Sequence, residues 1–371
     1  MPVRSIGLQK ASRRKPARPR CRAIVHPPVT VPMPAVAGLL SGVAARPDSA
    51  WLAAAIDETG ISPDLLGQRG ARVTGEQYVK LFTLLMDRLD DECLGLLSRP
   101  MRRGGFALVA RATPAAPSLA VALRRIGGGF GLLIDDVTFT VARENALTGL
   151  VLTPRNGVPR PRNFFFELLL RVCWRLLAWL RGARLPASRF DFCFSRPDYA
   201  DIYDDIYRAP LHFDRPAAAV WFDDAALLGP VRRDADDLEA FLAASPANVV
   251  LPWLGERTAG AQVHALLQRT CPAWPDLPTT ARSLNMSVST LQRRLGAEGK
   301  SFRMLKDQLR RDIAIMRLVT GTETLAELAA ELGFADCAAF QRAFKTWTGS
   351  APGAYRRMLA TEASPAFAAR R

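Results

Sequence analysis

A Gln-Arg pair occurs twice near the C-terminal end of the chain, as Gln292-Arg293 and as Gln341-Arg342. Both side chains can form two parallel hydrogen bonds with a base in the major groove of DNA, Gln with adenine and Arg with guanine. A helix that presents such side chains must bury its opposite face in a protein core. Each pair is therefore a candidate for reading bases, and a two-faced helix should carry it.

The segment around the first pair has the pattern of a helix-turn-helix unit. Thr279 or Thr280 can cap a short first helix, and Asn285 stands where a turn needs a residue that tolerates left-handed backbone. Ser287 can cap the second helix. The core face of this helix is predicted to comprise Val288, Leu291 and Leu295. The opposite face carries the candidate base-reading residues Ser289, Gln292 and Arg293.

The segment around the second pair repeats the pattern with clearer signals at the helix ends. Thr324 and Glu327 have the spacing of a capping box, and Gly333 can end the helix that they begin. Asp336 can cap the last helix, whose core face is predicted to comprise Phe340, Phe344 and Trp347. The residues that then point outward are Cys337, Ala338, Gln341, Arg342 and Lys345.

Basic residues beside these rows are expected to contact phosphates rather than bases, and they are Arg294, Lys300 and Lys345. Residues 301–318, between the two units, have the apolar spacing of one long helix. At 1.5 Å per residue this helix would be about 27 Å long, comparable with the roughly 34 Å between successive major-groove faces on one side of a duplex. One chain could therefore present both units to the same side of double-stranded DNA.

The distribution of charge agrees with this interpretation. The chain has a formal net charge of +15, and its first 22 residues hold eight Lys or Arg and no acidic residue. Residues 278–358 hold thirteen Lys or Arg against seven Asp or Glu, whereas residues 23–277 are neutral. A neutral domain joined to a basic module is typical of a sensor attached to a nucleic-acid-binding unit.

The neutral middle of the chain has a mixed pattern. Helical spacing marks two segments after residue 50 and another over residues 118–126. Residues 136–143 and 149–153 are predicted to form a hairpin, followed by strands through Phe190, Phe192 and Phe194 and over residues 218–222. Residues 164–180 are apolar, but Glu167, Arg171 and Arg175 line one face, which indicates a buried amphipathic helix and not a membrane span.

Three C-terminal segments resemble the DNA-binding domain of AraC/XylS-family regulators: LNMSVSTLQRRLGAEGKSF, ELAAELGFADCAAFQRAFKTWTG and SAPGAYRR. The middle is similar to the effector domain of the subgroup that includes ornithine-utilisation regulators, through TGISPDLL, ARVTGEQYVKLF and FCFSRPDYADIYDDIYRAPLHFDRPAAAVWFDDAALLGP. The resemblance implies that the rows named above face bases. It further implies a small-molecule effector, contact with RNA polymerase and the possibility of a homodimer.

These patterns together predict an α+β N-terminal effector domain and an all-α C-terminal domain with two helix-turn-helix motifs joined by a long helix. The expected segments are a disordered basic arm over 1–33, an effector-binding and dimerisation domain over 34–254, a linker over 255–277, a DNA-binding domain over 278–358 and a disordered tail over 359–371. Cys337 and Ala338 stand where polar residues are frequent in the family. Base reading by the second unit is therefore expected to depend mainly on Gln341 and Arg342.

Two other classes of function stay open. The first is an enzyme for thiol acyl or alkyl transfer fused to a DNA-binding domain, but the six cysteines are scattered without a basic partner nearby, which favours reduced packing residues in a cytoplasmic protein. Residues 127–131, the one Gly-rich run, lack the Lys of a phosphate loop and are predicted to form a turn. We expect no catalytic residue, metal or cofactor. The second alternative is an architectural DNA-binding protein without a ligand.

Overall fold

The computed structural model of the protein describes residues 29–44, 46, 48–156, 163–183, 185–207, 209–251 and 259–360. Residues 1–28 of the expected basic arm and residues 361–371 of the expected tail lie outside the described residues. The described part contains an N-terminal domain of helices and sheets and a C-terminal helical domain, so the predicted fold class is confirmed.

The N-terminal domain begins with β1 (Thr30–Pro32), α1 (Met33–Leu40), α2 (Leu52–Glu58), β2 (Arg72–Thr74) and α3 (Gly75–Leu89). It continues with α4 (Gly105–Arg111), α5 (Leu119–Leu133), the hairpin β3 (Val137–Glu144) and β4 (Leu147–Pro154), and the long helix α6 (Asn163–Leu180). It ends with β5 (Arg189–Asp191), α7 (Tyr203–Ile206), β6 (Leu211–His212), β7 (Ala218–Asp223), α8 (Asp224–Leu227), α9 (Ala235–Ala243) and α10 (Ala247–Val250).

The C-terminal domain consists of α11 (Ala259–Thr270), α12 (Leu277–Ser283), α13 (Val288–Ala297), α14 (Phe302–Thr320), α15 (Leu325–Glu331), α16 (Cys337–Thr348) and α17 (Pro352–Ala360). Helix α11 packs against α14, and its residues Val263 and Leu267 are buried. The linker predicted over residues 255–277 is therefore wrong in its described part. Short apolar helices gain a core face from a partner elsewhere in the chain, which the local pattern does not reveal.

The main sheet has the strand order β3-β4-β7-β5-β6, with β5 and β6 parallel and the other neighbours antiparallel. The predicted hairpin is present, and Asn145 supplies left-handed backbone in its turn with φ of 56°. The strand predicted through Phe190, Phe192 and Phe194 ends at Asp191 instead. Asp191 is also buried, so both faces of this segment are buried and the alternating pattern does not mark a solvent face. Phe192 and Phe194 follow the end of the strand and pack in the core.

The glycine run 127–131 lies inside α5, so the predicted turn is wrong. A Cβ on Gly127 would stand 2.8 Å from Leu150 of the sheet, and one on Gly129 would stand 3.0 Å from Val109 of α4. Real Cβ contacts are essentially never as short as the first of these distances and rarely as short as the second, so these glycines allow α5 to approach its neighbours closely. Packing against distant segments, and not the local propensity of glycine, decides the structure of this run.

Helix α6 is largely buried, as predicted, and forms the centre of the N-terminal core. Its Glu167 carboxylate accepts hydrogen bonds from the Tyr199 hydroxyl at 3.1 Å and the Tyr203 hydroxyl at 2.6 Å. Two tyrosine hydroxyls therefore hold the buried Glu167 side chain in place. Burial raises the pKa of Glu167 above its usual value.

Strands β1 and β2 pair to form a two-stranded ribbon that docks on the C-terminal domain. The Thr30 hydroxyl donates to Asp312 of α14 at 2.6 Å, and the Ser350 hydroxyl donates to Gln68 at 2.7 Å. A Cβ on Gly70 would stand 2.7 Å from the carbonyl oxygen of Thr348, so the two domains are in direct contact there. Because β1 begins at Thr30, the domain start predicted at residue 34 is wrong. The strand that pairs with β1 is β2, which lies some 40 residues away in sequence, so local patterns give no signal for β1.

Candidate nucleic-acid interface

The first helix-turn-helix unit is formed by α12 and α13. The Asp276 carboxylate caps α12 by accepting from the backbone N–H of Thr279 at 2.8 Å, so the cap predicted at Thr279 or Thr280 is wrong. Pro278 explains the earlier start, because a proline fits the first turn of a helix, where no N–H donor is needed. Asn285 adopts left-handed backbone in the turn, with φ of 54°, as predicted.

Helix α13 has the two faces that base reading requires. The Ser287 hydroxyl caps it by accepting from the Thr290 N–H at 3.1 Å, and Leu291 and Leu295 are buried. Val288, predicted in the core face, is 36% exposed, so burial begins one turn later. On the opposite face, the predicted base-reading residues are brought together and exposed, and they are Ser289, Gln292 and Arg293.

The second unit is formed by α15 and α16, and its end signals are in place. Thr324 and Glu327 form both hydrogen bonds of the capping box, and Gly333 follows α15 with φ of 70°. The Asp336 carboxylate caps α16 by accepting from the Ala339 N–H at 2.6 Å. The core face includes Phe340 and Phe344, which are buried and pack with tilted rings at 5.7 Å between ring centroids.

The outer face of α16 is less polar than that of α13. Ala338, Gln341 and Arg342 are exposed, whereas Cys337 is half-buried. The Gln341 amide donates to the Cys337 sulfur at 3.5 Å, which is a weak interaction that a base edge can displace. All four predicted residues share this face, but Gln341 and Arg342 are the members with strong hydrogen-bonding groups.

The three basic residues predicted to contact phosphates differ in their surroundings. Arg294 and Lys345 are exposed, and Arg294 extends along Met286, with 3.8 Å between its Nη1 and the sulfur. Lys300 is half-buried, and its Cδ would stand 3.5 Å from a Cβ on Gly260 of α11. Arg294 and Lys345 are thus better placed than Lys300 to reach a DNA backbone.

Helix α14 fixes the second unit through Arg310, which sequence reasoning missed. Its guanidinium donates to the carbonyl oxygens of Leu332 at 2.9 Å and Gly333 at 3.1 Å, at the end of α15. It also lies 4.7 Å from the Phe334 ring and 5.7 Å from the Trp274 ring. Burial lowers the pKa of Arg310. A capped turn held by one arginine keeps α15 at a fixed position on the connecting helix.

Two further contacts that hold the second unit were not predicted from the sequence. Trp274, in the segment predicted as linker, donates from its indole to the Glu331 carbonyl at 3.3 Å. Arg317 of α14 pairs with Glu323 and with Glu331, the latter at 3.0 Å. An isolated tryptophan among prolines was the one available hint, because such a residue usually packs against a folded partner.

The described cysteines do not have the surroundings of an enzyme nucleophile. Burial raises the pKa of the Cys93 and Cys173 thiols, which opposes the thiolate form that a nucleophile requires. No group of three or more His, Cys, Asp or Glu in the described residues could hold a metal ion. No helix in this part of the chain is both long and apolar enough to cross a membrane.

Two protein families match the chain by their sequence models. One is described as the arabinose-binding domain of AraC transcription regulator, N-terminal, and matches residues 51–231. The other is a helix-turn-helix domain and matches residues 280–358. The two matches cover the larger part of both domains of the structure.

Individual proteins with similar sequences are transcription regulators. An ornithine utilization regulator of Pseudomonas aeruginosa is 28% identical over 52% of this chain and 57% of its own length. The HTH-type transcriptional regulator VqsM of the same organism is 35% identical over 53% of this chain and 60% of its own length. The chain thus spans little more than half of these two regulators. The regulator VirS of Mycobacterium tuberculosis is 26% identical over 80% of this chain and 88% of its own length.

A solved structure, that of the transcriptional regulator CdpR from Pseudomonas aeruginosa, aligns with 87% of this chain and 97% of its own chain. The sequence identity is 19% and the TM-score is 0.31.

Proposed function

Because the chain belongs to the AraC family of transcription regulators, we propose that it binds double-stranded DNA sequence-specifically and is controlled by a small-molecule effector. The DNA sequence that it binds and its other partners belong to this proposal as well.

One observation carries this proposal: two capped helix-turn-helix units are held on one connecting helix, each with an exposed Gln-Arg pair. Helix α14 has 19 residues and is therefore about 28 Å long. This length suits two recognition helices, α13 and α16, that enter adjacent major grooves on one side of a duplex. Polar side chains on both helices remain exposed and able to reach base edges.

Base reading is proposed to be uneven between the two units. Ser289, Gln292 and Arg293 of α13 offer three polar groups on one face. On α16, Gln341 and Arg342 form the hydrogen bonds, while Cys337 and Ala338 contribute apolar contact, for example with a thymine methyl group. Arg294, Lys345 and, less directly, Lys300 are assigned to phosphates.

The N-terminal domain is assigned to effector binding and to dimerisation. A regulator switches when its effector binds one arrangement of the two domains more tightly than another. Contact with RNA polymerase would follow for an activator. A regulator of bacterial DNA works in the cytoplasm, and we assign the protein there.

The rival classes receive less support. The raised pKa values of the Cys93 and Cys173 thiols oppose a cysteine-dependent acyl or alkyl transfer. The similar proteins are named as regulators and not as enzymes. A ligand-free architectural protein has no use for a separate N-terminal domain of this size. We therefore propose that the chain is not an enzyme and needs no metal or cofactor.

The test is the binding of the full chain to DNA fragments selected from the genome of its source. We expect Arg293→Ala and Arg342→Ala each to weaken binding to the selected site by about 1–3 kcal/mol with little change on random DNA. Lys345→Ala should weaken binding to both DNAs equally. Arg124→Ala, on the exposed face of α5, is the matched control and should change neither. Equal losses on both DNAs for Arg293 and Arg342 would refute base reading, and failure to enrich any site would refute the proposed function.

A further inference from the structure

A pocket of about 540 Å³ lies between α1, the loop before β2 and the start of α6. Its volume is within the range of small-molecule sites. Met33, Leu66 and Phe164 are among the apolar side chains that line it. A Cβ on Gly38 would stand 2.2 Å from the Phe164 ring, so α1 and α6 already touch at this point. The apolar part of the pocket is therefore formed by two helices that are packed against each other.

The charges at the pocket are one cation and one anion. Arg69 and Asp198 form an ion pair, and among the described lining residues they are the two that carry charge. Their side chains are 75% and 59% exposed, so water screens the pair and little energy is lost when it separates. A ligand with a single charge would meet the like charge as well. A ligand with an ammonium and a carboxylate on one carbon matches both groups, Asp198 for the ammonium and Arg69 for the carboxylate.

Hydrogen bonds to the protein core hold the polar wall of the pocket, which Asp198 and Tyr199 form. Tyr199 lines the pocket and donates its hydroxyl to the buried Glu167 carboxylate at 3.1 Å. Tyr203 donates to the same oxygen at 2.6 Å. The segment that carries Asp198 is therefore anchored in the core through its neighbour Tyr199, which keeps the anion in position for a ligand.

The opposite wall, formed by the start of α1 and the loop before β2, is continuous with the strands that contact the C-terminal domain. The Met33 N–H donates to the Ala71 carbonyl at 2.9 Å, which joins the two chain segments that form this wall. Those segments continue as the ribbon, whose Thr30 bonds Asp312 and whose Arg72 bonds Tyr355. An occupant that moves Met33 or Arg69 would move the strands that contact the DNA-binding domain.

We propose that this pocket binds an α-amino acid with an apolar side chain, and that this compound is the effector, an assignment that rests on the proposed function. The side chain packs on Met33, Leu66 and Phe164. The ammonium replaces Arg69 at Asp198, and the carboxylate takes Arg69. The displacement is transmitted to the ribbon and so to α14.

The test begins with calorimetric titration of the full chain with L-leucine, L-phenylalanine and L-tryptophan. We expect at least one of them to bind. Phenethylamine and 3-phenylpropionate, which each keep one of the two charges, should bind about tenfold more weakly than L-phenylalanine or worse, since hydrogen bonds to charged groups are the stronger ones. L-lysine should not bind, because its side-chain charge would enter the apolar wall. Binding of none of the three apolar amino acids, or equal binding of phenethylamine and L-phenylalanine, would overturn the proposal.

Variants then locate the site. Ala37 lines the pocket on the exposed face of α1, so Ala37→Trp should fill the pocket and abolish binding of the amino acid. Ala54→Trp, on the exposed face of α2, is the matched control and should bind normally. Arg69→Gln should weaken L-phenylalanine about tenfold but should not weaken phenethylamine, which lacks the carboxylate and is repelled by Arg69. Asp198→Asn should likewise weaken L-phenylalanine but should not weaken 3-phenylpropionate, which lacks the ammonium and is repelled by Asp198. Unchanged binding by Ala37→Trp would show that the site lies elsewhere.

DNA binding separates this proposal from the proposed function. Ala37→Trp should still bind the selected DNA site in the absence of an amino acid, but should no longer respond when the amino acid is added. A chain that binds amino acids and no DNA would contradict the proposed function and leave the site standing. A chain that binds its DNA site with or without amino acids alike would refute the role of the pocket as the effector site.

Discussion

The hydroxyl of Tyr355 is the point at which the N-terminal ribbon is most specifically joined to the C-terminal domain. Tyr355 is buried, and its hydroxyl donates to the carbonyl of Arg72 and accepts from the Arg72 N–H at 3.1 Å. The backbone groups of Arg72 point away from β1, because the bond from Met33 N to Ala71 O makes the neighbouring pair the hydrogen-bonded one. One hydroxyl thus satisfies both outward backbone groups of Arg72.

Tyr355→Phe removes these two hydrogen bonds and keeps the ring, which packs against Phe344 at 5.4 Å between centroids. If the interface stays closed, the Arg72 N–H and C=O lose the Tyr355 hydroxyl as their hydrogen-bond partner away from water. Such groups cost about 1–3 kcal/mol when their partner is removed. If the interface opens instead, water satisfies them, and the domains lose their contact. Either outcome should weaken the docking of the ribbon by a similar free energy.

Hydrogen exchange of the Arg72 amide in the full chain measures this loss directly, because the chain has two domains and its global unfolding need not be two-state. We expect protection of that amide to fall by about 5- to 150-fold in Tyr355→Phe. Thr346→Ala is the control, since the Thr346 hydroxyl bonds Arg342 within its own helix at 3.0 Å. If the Arg72 amide is equally protected in Tyr355→Phe and the native chain, the hydroxyl is not its partner and the docking argument fails.

Three further predictions concern the cores and caps of the two domains. Phe340→Ala should destabilise the second helix-turn-helix unit by about 3–5 kcal/mol, because Phe340 is buried between Phe334 and Phe344; protease resistance of α16 equal to that of the native chain would contradict this. Thr324→Ala removes the capping box and should cost about 1 kcal/mol, measured as faster amide exchange at the start of α15, and unchanged exchange would count against the cap. Burial raises the pKa of Glu167 above 4.5, so the folded chain keeps this proton longer than the unfolded chain, and the stabilisation is full at low pH and lost as pH rises through the raised value. Glu167→Gln cannot ionise and should therefore gain stability relative to the native chain as the pH rises above 4.5, the usual pKa of the carboxyl group, in urea unfolding; parallel pH curves would rule out this role.

The second helix-turn-helix unit could be predicted almost completely because its signals are local. Thr324, Glu327 and Asp336 satisfy backbone groups within three residues of themselves, and Gly333 provides a conformation that few residues adopt. The spacing of Phe340 and Phe344 gives the buried face of α16 directly. The outward residues follow by exclusion, which is why the predicted row on α16 lies on one exposed face.

Several of the predictions that failed depended on partners distant in sequence. The glycine run of α5 resembles a turn until Leu150 and Val109 are known to lie against it. Residues 259–270 resemble part of a linker until α14 provides a surface for them. Arg310 gave no signal at all, because an arginine on a helix is ordinary until the carbonyl groups that it caps are known. Such contacts join segments that are far apart along the chain, and local sequence patterns cannot predict them.

The two helix-turn-helix units differ in what holds them, and this difference bears on regulation. Helix α11 packs on α14 and also contacts α13, so the first unit is fixed within the C-terminal domain. The ribbon, by contrast, contacts α14 at Asp312 and α17 at Tyr355, and the adjoining Gly70 lies against Thr348 at the end of α16. A movement of the ribbon therefore reaches the second recognition helix before the first. Under the proposed assignment α16 has fewer strong base-reading groups than α13, so we expect its contribution to DNA binding to be the smaller one and a modest change in its position to remove it.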